Sequence, residues 1–331
     1  MKKRKKAHPT AAKRTPVAST KTASKKQMPK KSATQPESGV ASSSGVRTSG
    51  FFSAEDQTPL YYEVRGKGRP LVFLYGLVCR KEHWIYQLEA FEKNYQVITL
   101  DYRGHQSSPA PRNDRNLSLD WLVRDTRSLL DHLKLEEVVC LGHSLGVPVA
   151  AEVTRQDPRV KAAVFVCGSV TNPFEHMFHS DWVMHLYRAL ERSYELLPDL
   201  TSRIWKWATK VNKLNFILTS QLGFHPEAAL ERDIMSYLEG VNQTPLPVFQ
   251  GLIRDYARYD GREHLKEIKV PILAIAGEDD LVTPSYLLEE VAELVPKGKL
   301  VTIAQASHNA HTDFPDEVNE VIQTFLTKVK Y

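Results

Sequence analysis

The chain is 331 residues long and 42% hydrophobic, with 44 Lys plus Arg against 39 Asp plus Glu and three cysteines. That is enough apolar material for a substantial core, and the lone thiols Cys79, Cys140 and Cys167 exclude a disulfide-stapled scaffold and show no CxxC or Cys/His spacing for a metal. The first 36 residues hold ten Lys and two Arg and no acid, which leaves 32 basic residues against 39 acidic ones beyond them, a net charge of −7, so the body lacks the basic face that a nucleic-acid-binding domain presents to phosphate.

Residues 1–50 are mostly Lys, Ser, Thr, Ala and Pro, with few large apolar side chains to offset the entropy of ordering, and they read as a disordered tail. With KKRKK at 2–6 and repeated Ala, Lys, Thr and Pro, its composition resembles histone-H1-like tails, which bind phosphate through charge alone; the leading reading is a solvated tail, and contact with nucleic acid or another anionic surface and a targeting role are the alternatives. The charged start is not followed by the apolar run of a secretory signal, and no later segment approaches the ~20 apolar residues of a membrane span. A cytoplasmic protein is expected.

From about residue 51 apolar runs of strand length alternate with segments of helical period. The strands are predicted at 60–64, 71–75, 96–102, 137–141, 160–167, 270–276 and 299–304; LVFLY at 71–75 is too uniformly apolar to have a solvent-facing side and reads as a central strand. Residues 118–134 place Leu119, Leu122, Val123, Leu129, Leu130 and Leu133 on one stripe behind Ser118 as a cap, and 285–295 and 316–329 carry similar stripes. Strands alternating with amphipathic helices predict an α/β fold, a mostly parallel sheet covered on both faces, over residues 51–331. Residues 171–250 interrupt the pattern with three or four helices and no strand. They hold eleven of the chain's thirty aromatics, Trp182 among them, where an even spread would place about seven, and they suit a lid over an apolar cleft.

Gly142-His143-Ser144-Leu145-Gly146 sits between the strand VVCL and the helical run GVPVAAEVTRQ. A serine on so sharp a turn needs small residues two positions to either side, and the turn sets it at a helix N-terminus that favours developing negative charge. Such a serine is a poor nucleophile without a base and an acid to orient it. The acids Glu278, Asp279 and Asp280 follow the strand at 270–276, and His308 and His311 follow the strand at 299–304. Both groups lie at the carboxyl edge where open α/β sheets place their sites.

Together these segments resemble the α/β-hydrolase superfamily over about residues 56–331. LVFLYGL (71–77) is similar to its oxyanion-loop strand, DYRGHQSS (101–108) to its D-x-R-G-H-G-x-S segment, GEDDLVTP (277–284) to G-x-x-D-x-x-x-P, and ASHNAHTDFP (306–315) to the run in which a proline follows the catalytic histidine by seven residues. The resemblance implies Ser144 as nucleophile, His308 as general base and then acid, Asp280 as the orienting carboxylate, and the backbone N–H groups of Leu77 and Leu145 as the oxyanion hole. Asp279 and Glu278 are then loop surface, His311 packs, and Cys79 and His105 are structural. Tyr75, Gly76, His143 and Trp182 are expected around the substrate pocket.

The chain departs from the family pattern at Tyr75 (usually His), Gln106 (usually Gly) and Ser307 (usually Gly), which bears on pocket shape. The resemblance implies hydrolysis of a small-molecule ester with a hydrophobic acyl or aromatic group, with no cofactor and no metal. A nucleophilic Ser in place of Asp argues against the alkyl-enzyme chemistry of dehalogenases and epoxide hydrolases. Perhydrolysis of the haloperoxidase type, C–C bond hydrolysis and acyl transfer use the same three residues, and a binding module localised by its tail is the reading from a different class.

Overall fold

Eight strands of six or seven residues, those of the centre rich in Val, Ile, Leu and Phe, build one sheet. The computed structural model describes residues 47–180 and 182–331, so all but the last four residues of the tail predicted for 1–50 lie outside the described residues. In chain order the elements are β1 (Arg47–Ser53), β2 (Pro59–Arg65), β3 (Arg69–Leu74), α1 (Ile85–Phe91), β4 (Tyr95–Leu100), α2 (Leu119–His132), β5 (Val138–His143), α3 (Gly146–Gln156) and β6 (Val160–Val166). Five helices follow without a strand: α4 (Trp182–Leu196), α5 (Pro198–Ala208), α6 (Lys213–Leu222), α7 (Glu231–Gln243) and α8 (Leu246–Tyr256). The chain closes with α9 (Arg262–Leu265), β7 (Ile272–Gly277), α10 (Tyr286–Leu294), β8 (Gly298–Ile303), α11 (Ala310–Asp313) and α12 (Pro315–Lys328).

The strand order is β1-β2-β4-β3-β5-β6-β7-β8. β2 pairs antiparallel with β1 and with β4, and every other neighbour is parallel. β5 is buried along its whole length and β3 from Leu71 to Leu74, as strands covered on both faces by helices require. Ser118 caps α2 by accepting from the Trp121 N–H at 3.3 Å.

Two boundaries differ from the sequence prediction. β1 begins at Arg47, four residues inside the segment 1–50 read as tail, and pairs from Arg47 opposite Arg65 to Ser53 opposite Pro59. An edge strand needs only its backbone paired, and β1 buries just Phe52, so it carries almost no apolar signal. The helical insertion runs on through α8 to Tyr256, six residues past the predicted limit of 250.

The DYRGH segment after β4 is anchored by Arg103, which is fully buried. Its guanidinium donates to Asp125 of α2 at 2.6 and 2.5 Å, to Asp56 at 3.0 Å and to the Asn116 carbonyl at 3.1 Å. Burial works against the Asp56 carboxylate, yet hydrogen bonds from Asn116 and Thr58 and the Arg103 charge hold it at about 2. One side chain thus ties the β1–β2 turn, the loop after β4 and α2 together beneath the sheet's carboxyl edge.

Candidate active site

Ser144 occupies the turn between β5 and α3 with φ 53°, in the left-handed region. A non-glycine residue there is strained by roughly 1–3 kcal/mol, and the neighbours make the strain tenable. The Ser144 N–H donates to the carbonyls of Val166 and Cys167 at 3.2 and 3.0 Å, and its carbonyl accepts from the Val147 N–H at 2.9 Å. A Cβ on Gly142 would stand 2.2 Å from the Gly146 carbonyl oxygen, and one on Gly146 would stand 2.2 Å from that of Leu74. The two glycines of the pentapeptide are therefore demanded by close backbone approach on either side of the serine.

The loops after β7 and β8 bring the other two candidates to the same edge. His308 Nε2 lies 3.1 Å from Ser144 Oγ, and His308 Nδ1 lies 3.0 and 3.2 Å from the two Asp280 oxygens. A carboxylate only accepts, so Nδ1 carries the proton and the Nε2 lone pair faces the serine hydroxyl. Asp280 is buried, and its oxygens also accept from the N–H groups of Val282 and Thr283, each at 2.8 Å, and from the Thr283 hydroxyl at 2.8 Å. Glu278 and Asp279 are exposed, and Glu278 accepts from the Gln305 N–H instead.

Neutral imidazoles back the site. His143 donates from Nε2 to the His308 carbonyl at 3.0 Å, and its ring lies 5.0 Å from that of His308 and 4.3 Å from that of His311. Burial pushes His83 down to about 4 and His143 and His311 well below the ordinary histidine range, so none adds a positive charge beside Ser144. His105 is buried against the Arg103 carbonyl, and burial pushes the Cys79 thiol up to about 12, away from the thiolate form.

A cavity of about 370 Å³ opens above Ser144 and His308. Its walls are Leu77, Val78 and Cys79 from the loop after β3, Phe174, Met177 and Phe178 from the segment after β6, Leu218 and Leu222 of α6, Phe224, Tyr237 of α7, and Phe249, Ile253 and Tyr256 of α8. Among the described residues no Asp, Glu, Lys or Arg lines it, and the polar lining is Ser144, His143, His308, Thr219, Thr283 and Asn309.

Three pocket expectations need correction. Trp182 is 54% exposed and lines no part of the cavity; it stacks on the outer side of Phe178 at 6.3 Å, and Phe178 provides the wall. Tyr75 is fully buried and its hydroxyl accepts from the Tyr102 N–H at 2.8 Å, so it faces the sheet and not the cavity. Gly76 stands behind the serine, where a Cβ would come within 3.0 Å of Ser144 Cβ. Leu77 and His143 do line the cavity, while the Leu145 side chain is buried beneath it. Among the described residues, the Leu77 and Leu145 N–H groups donate to no other protein group.

Sequence reasoning missed Thr283 and the Ser307 network. The signal for Thr283 was present, since an Asp followed three residues later by Thr ahead of a proline favours a turn that caps its own backbone. Ser307 Oγ lies 2.5 Å from Asp313 Oδ2 and 3.0 Å from the Gly223 carbonyl, and Asn309 donates to that same carbonyl at 2.6 Å. Asp313 also accepts from the His225 N–H at 3.2 Å. The histidine loop is thereby fastened to the segment after α6, a pairing between residues about 85 positions apart that no local pattern announces.

A description of the alpha/beta hydrolase fold matches residues 69–315. The chain is 27% identical over 286 residues to a non-heme haloperoxidase of Rhodococcus erythropolis, covering 83% of this chain and 98% of that protein. It is 27% identical over 261 residues to a pimeloyl-[acyl-carrier protein] methyl ester esterase of Nitrosomonas europaea, covering 78% and 96%. In structure it resembles the enol-lactonase from Burkholderia xenovorans LB400, with a TM-score of 0.69 at 19% identity over 84% of this chain and all of that one.

Proposed function

The chain belongs to the alpha/beta hydrolase fold family, and from that premise we propose that it is a serine hydrolase cleaving carboxylic esters with a hydrophobic acyl or aromatic group. The observation that carries the reading is the continuous contact from Ser144 Oγ through the His308 ring to Asp280, opening into a cavity whose described lining includes no Asp, Glu, Lys or Arg.

In this reading Ser144 Oγ attacks the ester carbonyl and its proton passes to His308 Nε2, while the buried Asp280 stabilises the imidazolium and fixes its tautomer. The tetrahedral oxyanion accepts from the Leu77 and Leu145 N–H groups, each worth ~3 kcal/mol in comparable sites. His308 returns the proton to the leaving alkoxide, and the alcohol departs from an acyl-Ser144. Water then gives a proton to His308, adds to the acyl carbon, and releases the carboxylic acid with Ser144 restored. The helices between β6 and β7 act as a lid whose aromatic residues hold the apolar group. The haloperoxidase likeness supports a second reading, in which hydrogen peroxide takes the place of water in the deacylation step and a peracid leaves.

Labelling by a fluorophosphonate tests the first reading. Intact mass and peptide mapping should find one adduct, on Ser144, lost in Ser144→Ala and slowed in His308→Ala. A panel of p-nitrophenyl esters should then show turnover rising with acyl length until the cavity is filled. A folded wild-type protein that neither forms the adduct nor turns over any ester would sink the proposal, and a rate unaffected by peroxide would remove the second reading.

A further inference from the structure

A surface helix ordinarily buries its apolar face and shows solvent a polar one. α5 and α6 do the reverse. On α5, Leu200, Ile204 and Trp207 share a face by their four- and three-residue spacing and are all exposed, Trp207 to 72%. On α6, Leu214, Leu218 and Leu222 repeat every four residues with Ile217 beside them, all are exposed, Leu214 to 65%, and the helix has no buried residue. Thirteen of the sixteen exposed large hydrophobic residues among the described ones fall between Trp182 and Leu230. A concentration of that size in one stretch of the chain, on helices that cover the cavity, marks a contact rather than scatter.

Charge identifies the partner. From Leu200 to Pro226 there is no Asp or Glu, while Arg203, Lys206, Lys210 and Lys213 are all exposed on the same two helices and their connection, in a body whose residues beyond 36 total −7. Leu, Ile and Trp interleaved with Lys and Arg are what a helix lying in the headgroup region of an anionic bilayer requires: the apolar side chains enter the acyl boundary and the cations stay with lipid phosphates. We propose that α5 and α6 form a docking face for an anionic lipid surface. The competing occupants carry the wrong sign. A second copy seated on this face about a twofold axis would set like charges against each other, and the chain's own residues 1–36 are basic without a single acid. Leu218 and Leu222 belong both to the exposed face and to the cavity wall, so docking brings the cavity mouth against the bilayer. The inference goes beyond the ester reading, and a binding readout does not depend on it.

The test uses the full chain with vesicles of phosphatidylcholine, alone or mixed with phosphatidylglycerol, by flotation at low and high salt and by tryptophan quenching with brominated acyl chains. The wild type should float with the mixed vesicles and stay partly bound at high salt. Brominated lipid should quench an emission component that Trp207→Phe lacks. The triple variant Ile204→Ser, Trp207→Ser, Leu214→Ser should bind about tenfold or more weakly at high salt, where the basic tail is screened. Lys206→Gln, Lys210→Gln, Lys213→Gln should weaken binding at low salt. All these residues are exposed, and an unchanged melting temperature checks that the variants fold. Two results would overturn the proposal. One is apolar-variant binding equal to wild type with no Trp207 quenching, which leaves the tail as the sole anchor. The other is a dimer in sedimentation that the triple variant abolishes, which makes a second copy the occupant.

Discussion

Asp280 accepts four hydrogen bonds, and Thr283 supplies two of them, one from its N–H and one from its hydroxyl. The hydroxyl bond fixes the rotation of the carboxylate and thereby the plane of the His308 ring, whose Nε2 must meet Ser144 Oγ. Thr283→Val keeps the shape and removes only the hydroxyl, leaving a buried carboxylate oxygen one donor short at a cost of about 1–3 kcal/mol. Its kcat should fall roughly ten- to a hundredfold with KM little changed, measured on the best ester of the panel, because the residue positions the base and gives substrate little binding surface. Ser144 and the acid loop were legible in the sequence because a sharp strand-to-helix turn and its glycines are local geometry. The orientations of Tyr75 and Trp182 were not: Tyr75 is turned by Tyr102, 27 positions away, and Trp182 is left outside because Phe178, four residues before it, takes the wall, a choice that the period of the segment does not reveal.

Among the elements, α7 bears most directly on the site without contributing a reacting group. Its Gly240 lies so close to the loop after β3 that a Cβ there would stand 2.3 Å from the Val78 carbonyl oxygen, one residue from the Leu77 N–H that the proposed mechanism turns toward the oxyanion. Gly240→Ala must push α7 or that loop aside. Overpacking of this kind costs about 1–3 kcal/mol of stability, so the melting temperature should drop by several degrees while fluorophosphonate labelling of Ser144 slows by more than the loss of folded protein explains. Equal losses in both would assign Gly240 to packing alone. The amphipathic helices and buried strands were readable from periodicity, whereas β1 was not, because an edge strand with one buried side chain resembles a polar linker until its partner β2 is in place.

For the whole molecule the governing quantity is the separation of charge, with twelve cations and no acid in residues 1–36 against a body of −7. The 331-residue chain should bind unrelated duplex DNA with an affinity that falls steeply with salt, at a log–log slope of about −0.9 per phosphate contacted, and a chain beginning at residue 47 should not bind. Retention of DNA binding by the shortened chain would place the contact on the folded body instead. No helix among the described residues, α5 and α6 included, is long and apolar enough to cross a membrane.

What the sequence by itself determined is the part governed by short-range rules: the α/β alternation, the strained serine turn with its two glycines, the acid and histidine loops at the carboxyl ends of strands, and the imbalance of charge. Each depends on residues within a few positions of one another, where period and turn chemistry act. Only the tertiary structure decided which aromatic residues wall the cavity, that Ser307 and Asn309 fasten the histidine loop to Gly223, and that α5 and α6 turn their apolar faces outward. Those facts arise from packing between segments far apart in the chain, 84 and 86 residues for Ser307 and Asn309 against Gly223, and a hydrophobic stripe has the same period whether it meets the core, a cavity or a lipid surface.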